Sequence, residues 1–151
     1  MSDYVLRTCR HRDLEQVVDL EKVAFAESAY GMLDFIYFLW HARDGFIVAK
    51  KGERVLGYVI GIGRGDIGVI QSIAVSPEFR RKGIAESLMK SAIAHLVDFE
   101  EVYLLVDSSN EAAIALYHKF FFRETGRIIQ RYYRNGGDAV EMVRTGAREG
   151  Q

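Results

Sequence analysis

The segment that most restricts the fold is Ile70-Gln71-Ser72-Ile73-Ala74-Val75-Ser76-Pro77-Glu78-Phe79-Arg80-Arg81-Lys82-Gly83-Ile84-Ala85. An apolar run that reads as a buried strand stops at Pro77, the one proline of the chain, because proline has no N–H to give to a sheet ladder. Three cations follow. Gly83 then opens residues 83–97, where Ile84, Leu88, Ala92, Ile93 and Leu96 fall on one helical face. A helix begun in this way leaves its first-turn N–H groups without intrahelical partners, at the positive end of its dipole. Such an end holds a phosphate group. Gly83 and Ala85 carry little or no side chain, so a pyrophosphate can reach the backbone, while Arg80, Arg81 and Lys82 raise the local potential. A basic surface turn before an ordinary helix is the competing reading. No G-x-G-x-x-G follows the first strand and no G-x-x-x-x-G-K-[ST] occurs, which argues against a dinucleotide fold and a Walker loop.

Around this unit the hydrophobic period switches repeatedly. Residues 4–8 read as a short strand, and residues 13–25 as a helix with Leu14, Val17, Val18, Glu21, Ala24 and Phe25 at helical spacing. Residues 33–41 form an aromatic-rich helix, mainly core, with a partner-binding face as its other possible use. Residues 46–49 are a buried strand, Lys51-Gly52-Glu53-Arg54 a hairpin connection, and residues 55–63 a strand rich in glycine where a neighbour approaches closely. Strand 69–75 enters the basic turn. A strand at 102–106 and a helix at 110–120, bearing Ala113, Ile114, Leu116 and Tyr117, come after it. Residues 122–133 and 139–143 make a last hairpin around Asn135-Gly136-Gly137. The order β-α-α-β-β-β-α-β-α-β-β, with antiparallel hairpins flanking one β-α-β unit, is an α+β fold with a mixed sheet. One domain is expected over residues 1–144, with 145–151 a flexible tail.

A chain of 151 residues is long enough to bury a real core. A net charge of −1 gives no global reason to expect binding to nucleic acid or to a membrane surface. No apolar stretch approaches the roughly 20 residues of a membrane helix. Met1-Ser2-Asp3-Tyr4 lacks the basic-then-apolar pattern of a signal peptide. A cytoplasmic protein is therefore expected, as a monomer or weak homodimer. Cys9, the single cysteine, excludes an internal disulfide and offers no metal cluster, so no metal is expected. In its apolar run Cys9 reads as a buried structural thiol.

Arg80-x-x-Gly83-x-Ala85 resembles the R/Q-x-x-G-x-G/A signature of the GNAT acetyltransferase superfamily, preceded as usual by an apolar strand ending in Ile73-Ala74-Val75. Ser109-Asn110-Glu111-Ala112-Ala113-Ile114-Ala115-Leu116-Tyr117 is similar to the superfamily's S-N-x-x-A-x-x-L-Y segment, and Phe120-Phe121-Phe122 stands where most members have L-G-F. The resemblance spans residues 4–144. It implies a mostly antiparallel sheet of about seven strands with about four helices, splayed between the fourth and fifth strands, where acetyl-CoA wedges in. It further implies that the backbones of Ile73, Ala74 and Val75 pair with the pantetheine arm, with the Val75 N–H aimed at the thioester carbonyl to stabilise an oxyanion. Arg80, Arg81, Lys82, Gly83, Ile84, Ala85 and Glu86 would surround the pyrophosphate. Asn110 would bond the pantetheine, cap its own helix, or do both, and Lys119 would reach the nucleotide end.

Direct acetyl transfer through a ternary complex needs a neutral amine, a polarised carbonyl and a proton for the departing thiolate. Tyr117 sits at the superfamily's general-acid position, with a core aromatic as the alternative reading. The familiar bases are missing: Leu105 stands where members that acetylate ribosomal-protein N-termini carry glutamate, and Val69 where relatives use Tyr or His. Glu27, in a loop that resembles the one lining the peptide site of N-terminal acetyltransferases, is the remaining candidate as base or amine-binding carboxylate; a solvated loop acid is the alternative. Gln71 could instead hold a relay water. His95 and His118 are read as lying on exposed helix faces. An α-amine is roughly 10–15% neutral at pH 7 and a lysine under about 0.1%, so a weak base suffices for an N-terminus.

Arg131-Tyr132-Tyr133-Arg134-Asn135-Gly136-Gly137-Asp138-Ala139 resembles the Y-Y-x-x-G-x-D-A hairpin of protein N-terminal acetyltransferases. Tyrosines suit peptide recognition because each joins apolar area to a hydroxyl. Tyr132, Tyr133 and Tyr30, with Glu27 and Gln71, would line a tunnel for a chain end. The resemblance thus implies an enzyme that acetylates protein α-amines and works with a peptide substrate, on an auxiliary subunit or ribosome in many such proteins. A GNAT enzyme for lysine or a small amine, and a non-catalytic acyl-CoA-binding module, are the alternatives.

Overall fold

The computed structural model describes residues 3–146. Its elements follow the predicted order: β1 (Val5–Thr8), α1 (Leu14–Phe25), α2 (Met32–Ala42), β2 (Phe46–Lys51), β3 (Arg54–Arg64), β4 (Ile67–Val75), α3 (Ile84–His95), β5 (Glu101–Asp107), α4 (Glu111–Lys119), β6 (Arg123–Ile129) and β7 (Ala139–Thr145). The strands form one sheet in the order β1-β2-β3-β4-β5-β7-β6. β4 and β5 are its parallel neighbours, and the other adjacent pairs are antiparallel.

Both faces of the sheet are covered, which explains why β2 and the middle of β3 are apolar without alternation. On one face, α1 and α2 pack Val17, Phe35 and Phe38 against Phe46, Val48, Tyr58 and Ile60. On the other, α3 and α4 pack Leu88, Met89, Ala92, Leu96 and Tyr117 against Leu56, Ile70, Leu104 and Met142. The glycines of β3 let this second layer approach. A Cβ at Gly57 would lie 2.9 Å from the Ala74 carbonyl oxygen and 3.3 Å from Leu88, and one at Gly61 would lie 3.2 Å from Leu96.

The sheet is open where its one parallel pair meets. β4 and β5 are in register only at Gly68 with Val102 and Val69 with Tyr103. Beyond that point they diverge, and the edge of β4 from Gln71 to Val75 has no strand beside it. The β3–β4 ladder also slips, with Ile60 opposite Ser72 and Gly61 opposite Ile70, so Gln71 is an extra residue in a bulge. This bulge re-aims β4 as it leaves β5.

Two expectations are corrected. The strand expected over residues 122–133 ends at Ile129, so Tyr132 and Tyr133 belong to the loop before β7. Arg131 turns the chain with φ 52°, its N–H held by Asp138 Oδ1 at 3.0 Å. The Gly136 N–H then bonds the Tyr133 carbonyl at 2.9 Å, closing a turn of its own. The flexible tail expected over 145–151 is contradicted at its first two residues: Thr145 pairs with Glu101 in β7, and the Gly146 N–H bonds the Glu100 carbonyl at 2.7 Å. The rest of that tail, 147–151, lies outside the described residues. The aromatic helix is mainly core, as expected, with Ile36 and Leu39 also packed on that layer. Phe35 and Phe38 are buried, whereas Leu33 and Trp40 are 83% and 66% exposed.

Cys9 is buried as expected, and desolvation pushes its thiol up to about 12. His95 and His118 are exposed. Among the described residues no helix is long and apolar enough to cross a membrane.

Candidate active site

The V-shaped opening between β4 and β5 supplies the long axis of the site. The Ser76 N–H donates to the Leu56 carbonyl of β3 at 2.8 Å. Strand alternation therefore turns the Val75 and Ile73 N–H groups the other way, into the opening. An extended amide-bearing arm can pair there as a missing strand would. At its far end α3 starts from Gly83, whose φ of 82° favours glycine and whose missing Cβ leaves open space. No side chain caps this helix. The N–H groups of Ile84, Ala85 and Glu86 are thus available to an anion. Unpaired strand edge and uncapped helix start together fit the pantetheine and pyrophosphate of acetyl-CoA.

The three cations of the turn divide their roles. Arg80 folds back, its Nε donating to the Val75 carbonyl at 3.2 Å, and so braces the end of β4. Lys82 lies over the Phe79 ring at 5.6 Å and borders a cavity with Asp3 and Lys51, on the β2–β3 side and away from β5. Arg81 carries neither contact; its φ of 63° marks the tight turn into Gly83. Backbone amides, more than a cluster of converging cations, are what the turn offers to a phosphate. Across the opening, Lys119 Nζ meets Glu86 Oε1 at 2.7 Å, tying the end of α4 to the start of α3. Asn110 caps α4, its Oδ1 accepting from the Ala113 N–H at 3.1 Å. That leaves the Asn110 amide nitrogen free to donate.

Tyr117 stands on α4 with its ring packed edge-on against Phe122 at 6.1 Å. Desolvation alone pushes its phenol up to about 12. Its hydroxyl makes no hydrogen bond to the described residues, yet no fully enclosed side-chain polar atom among them lacks a partner. The oxygen is therefore not sealed in.

Two loops meet at the near end. The Arg134 N–H of the β6–β7 loop donates to Ser28 Oγ of the α1–α2 loop at 3.0 Å. Tyr132 and Tyr133 contact edge to face at 5.0 Å. Burial pushes the Tyr133 phenol up, and the charges of Tyr132, Asp107, Tyr117 and Tyr30 add to the rise, so these groups share one neighbourhood. The Tyr30 hydroxyl accepts from Gln71 Nε2 at 2.6 Å, and Gln71 Oε1 accepts from Arg64 at 3.0 Å. Four of the expected peptide-site residues, Tyr30, Gln71, Tyr132 and Tyr133, thus converge. Gln71 is engaged with Tyr30 and Arg64 through one amide proton and one lone pair, which leaves it a second of each.

Glu27 lies in the short turn Ala26–Ser28 beside this mouth, with its side chain exposed and no bond to another described residue. Leu105 faces the same side of the sheet as Glu141 across the β5–β7 ladder, but Glu141 is already bound by Arg127 and Thr125 at 3.0 and 2.9 Å. Sequence reasoning missed Glu21. It is 1% exposed on α1, with Oε2 accepting from the Tyr30 N–H at 2.9 Å and Oε1 from the hydroxyls of Tyr58 and Ser72. The signal was present, since a carboxylate among Leu14, Val17 and Val18 on the buried stripe has to find partners inside.

The Acetyltransferase (GNAT) family model matches residues 14–122, and the chain belongs to the GNAT acetyltransferase family. The N-alpha-acetyltransferase of Saccharolobus solfataricus is 32% identical over 94% of this chain and 93% of its own length. That of Sulfolobus acidocaldarius is 34% identical, covering 93% and 92%. Among solved structures, Ard1 from Thermoplasma volcanium has a TM-score of 0.90 at 24% identity, over 96% of this chain and 99% of that one.

Proposed function

We infer that the chain is an N-alpha-acetyltransferase, moving an acetyl group from acetyl-CoA to the α-amine of a protein N-terminus. The observation that carries this reading is the junction of the two tyrosine-bearing loops, through Arg134 and Ser28, at the end of the β4–β5 opening. A junction of this kind makes a narrow mouth that suits an extended chain end. Tyr30, Tyr132 and Tyr133 bring apolar rings with hydroxyls able to bond a peptide backbone. The archaeal relatives that match over most of this chain bear the same activity in their names.

Acetyl-CoA supplies an acyl carbon activated by its thioester. The Ile73 and Val75 N–H groups aim at the opening, where they stabilise negative charge growing on a carbonyl oxygen. Gly83, Ile84, Ala85 and Glu86 hold phosphate by their backbones, with Arg81 adding charge. The Asn110 amide binds along the arm, and Lys119 stands at the nucleotide end. Tyr117 holds a proton on its Oη for a departing thiolate. Glu27 attracts the incoming ammonium group and takes its proton.

The test is peptide acetylation by purified protein with acetyl-CoA, comparing free N-termini with N-blocked peptides that contain lysine. Turnover confined to free N-termini is expected. Turnover confined to blocked peptides would transfer the function to lysine.

For Glu27→Gln, kcat/KM for a free N-terminus is expected to fall about tenfold at pH 7. The acid side of the pH–rate profile should then steepen, because only the amine already neutral in solution reacts. A profile superimposable on that of the wild type would remove Glu27 from the proton path.

A further inference from the structure

Asp13, Lys50 and Glu21 are the buried charged side chains among the described residues. Asp13 and Lys50 neutralise one another at 2.8 Å. Glu21 has no such counter-ion: its hydrogen-bond partners are the Tyr30 amide and the hydroxyls of Tyr58 and Ser72. Burying an unpaired carboxylate is costly, and any apolar residue would continue the stripe of Leu14, Val17 and Val18. What Glu21 adds is three directed hydrogen bonds.

Those bonds tie one loop residue to two strands of the sheet. Oε2 takes the Tyr30 N–H at 2.9 Å, while Oε1 takes Ser72 Oγ of β4 at 3.1 Å together with Tyr58 of β3. Ser72 adjoins the bulged Gln71, which donates to the Tyr30 hydroxyl at 2.6 Å. Tyr30 is therefore gripped at both ends, its backbone by Glu21 of α1 and its phenol by Gln71 of β4. Phe35 and Phe38 hold its ring edge-on at 6.1 and 5.2 Å.

We propose that Glu21 is a positioning residue for peptide binding, its ionised carboxylate clamping the loop of residues 26–31 onto β4 and so fixing Tyr30 where the N-terminus enters. The proposal rests on the reading of Tyr30 as part of the peptide mouth. An ionised carboxylate only accepts, and so suits all three donors; a protonated one gives up an acceptor position to its own O–H. The clamp therefore slackens as pH falls. Burial pushes the Glu21 carboxyl up from its ordinary value, Tyr30, Tyr58 and Ser72 pull it down, and Asp34 of α2 adds to the rise. None of the groups facing it from the loop, β3, β4 or α2 is a cation, and Tyr132 faces Tyr30 from the β6–β7 loop.

Glu21→Gln keeps the shape but turns one acceptor into a donor facing a donor. Its peptide KM is expected to rise about tenfold, with kcat and the acetyl-CoA KM within about twofold of wild type. The acid-side rise in peptide KM that the clamp predicts for the wild type should vanish. Tyr58→Phe removes one donor from the carboxylate and is expected to move that rise to higher pH, a change that a purely structural role would not produce. An unchanged peptide KM and pH profile in Glu21→Gln overturns the proposal, as does an equal loss in the acetyl-CoA KM. Should Glu21→Gln fail to fold, an unshifted profile in Tyr58→Phe overturns it. Tyr30→Ala, run alongside, separates the two readings. Wild-type peptide KM in that variant removes Tyr30 from the mouth and ends both. A raised KM there beside a wild-type value in Glu21→Gln ends the clamp alone.

Discussion

In Gly83→Glu, acetyl-CoA affinity is expected to fall at least about 100-fold, or about 2.8 kcal/mol, with the fold retained. The backbone at Gly83 has φ 82°, so any side chain there meets a strain of roughly 1–2 kcal/mol. Nothing within 4 Å obstructs the new Cβ, however, and the side chain projects into open space. That space is the approach to the N–H groups of Ile84, Ala85 and Glu86, which no side chain caps. A carboxylate placed there takes those donors for itself and repels the pyrophosphate. Gly83→Ala is the control: it carries the same strain without the charge and is expected to lose much less affinity. Calorimetric titration with acetyl-CoA, alongside thermal unfolding of each variant, separates the two effects. Unchanged affinity in Gly83→Glu would move the phosphates away from α3.

The same turn shows how far local pattern reaches. Pro77 and Gly83 marked the end of β4 and the start of α3 because each acts through its own backbone chemistry, and the structure starts α3 at Ile84, directly after Gly83. Orientation of the long side chains was not legible. Arg80 returns to the Val75 carbonyl and Lys82 is drawn to the Phe79 ring, two outcomes decided by neighbours that no spacing rule specifies. Residues 122–133 failed for a related reason. Ile128-Ile129 and the tyrosine pair read as one apolar run, but a side-chain acceptor nine residues past Ile129, Asp138, holds the Arg131 N–H and stops the strand.

The mouth was legible as a set of residues and not as a network. Tyr30, Tyr132, Tyr133 and Gln71 were named from motif and position, and they do meet. Their order depends on a bulge at Gln71, which period-2 patterning across Val69 to Val75 does not reveal, and on Glu21, which looked like one more member of an amphipathic helix. A charged residue in the buried stripe is a signal in its own right. It asks which donors the fold will bring, and here the answer lies on β3, β4 and the loop of residues 26–31 at once.

Tyr117→Phe is expected to lower kcat about 100-fold while leaving acetyl-CoA affinity and peptide KM near wild type. The ring sits buried against Phe122 and its hydroxyl bonds no described residue, so the variant forfeits no hydrogen bond and thermal stability should stay within about 1 kcal/mol. What it loses is the proton. Desolvation holds the phenol up at about 12, above its ordinary value near 10. The proton-bearing form, the one a general acid requires, therefore persists through the whole range in which an α-amine becomes neutral. Wild-type kcat should accordingly show no fall assignable to Tyr117 up to about pH 10. A slow Tyr117→Phe enzyme that speeds up with a more acidic leaving thiol would tie the lost proton to departure of the sulfur. Wild-type turnover in the variant would return Tyr117 to the core. The next phenol to test would then be Tyr133, which burial also raises and which lies near enough to Tyr117 for their charges to interact.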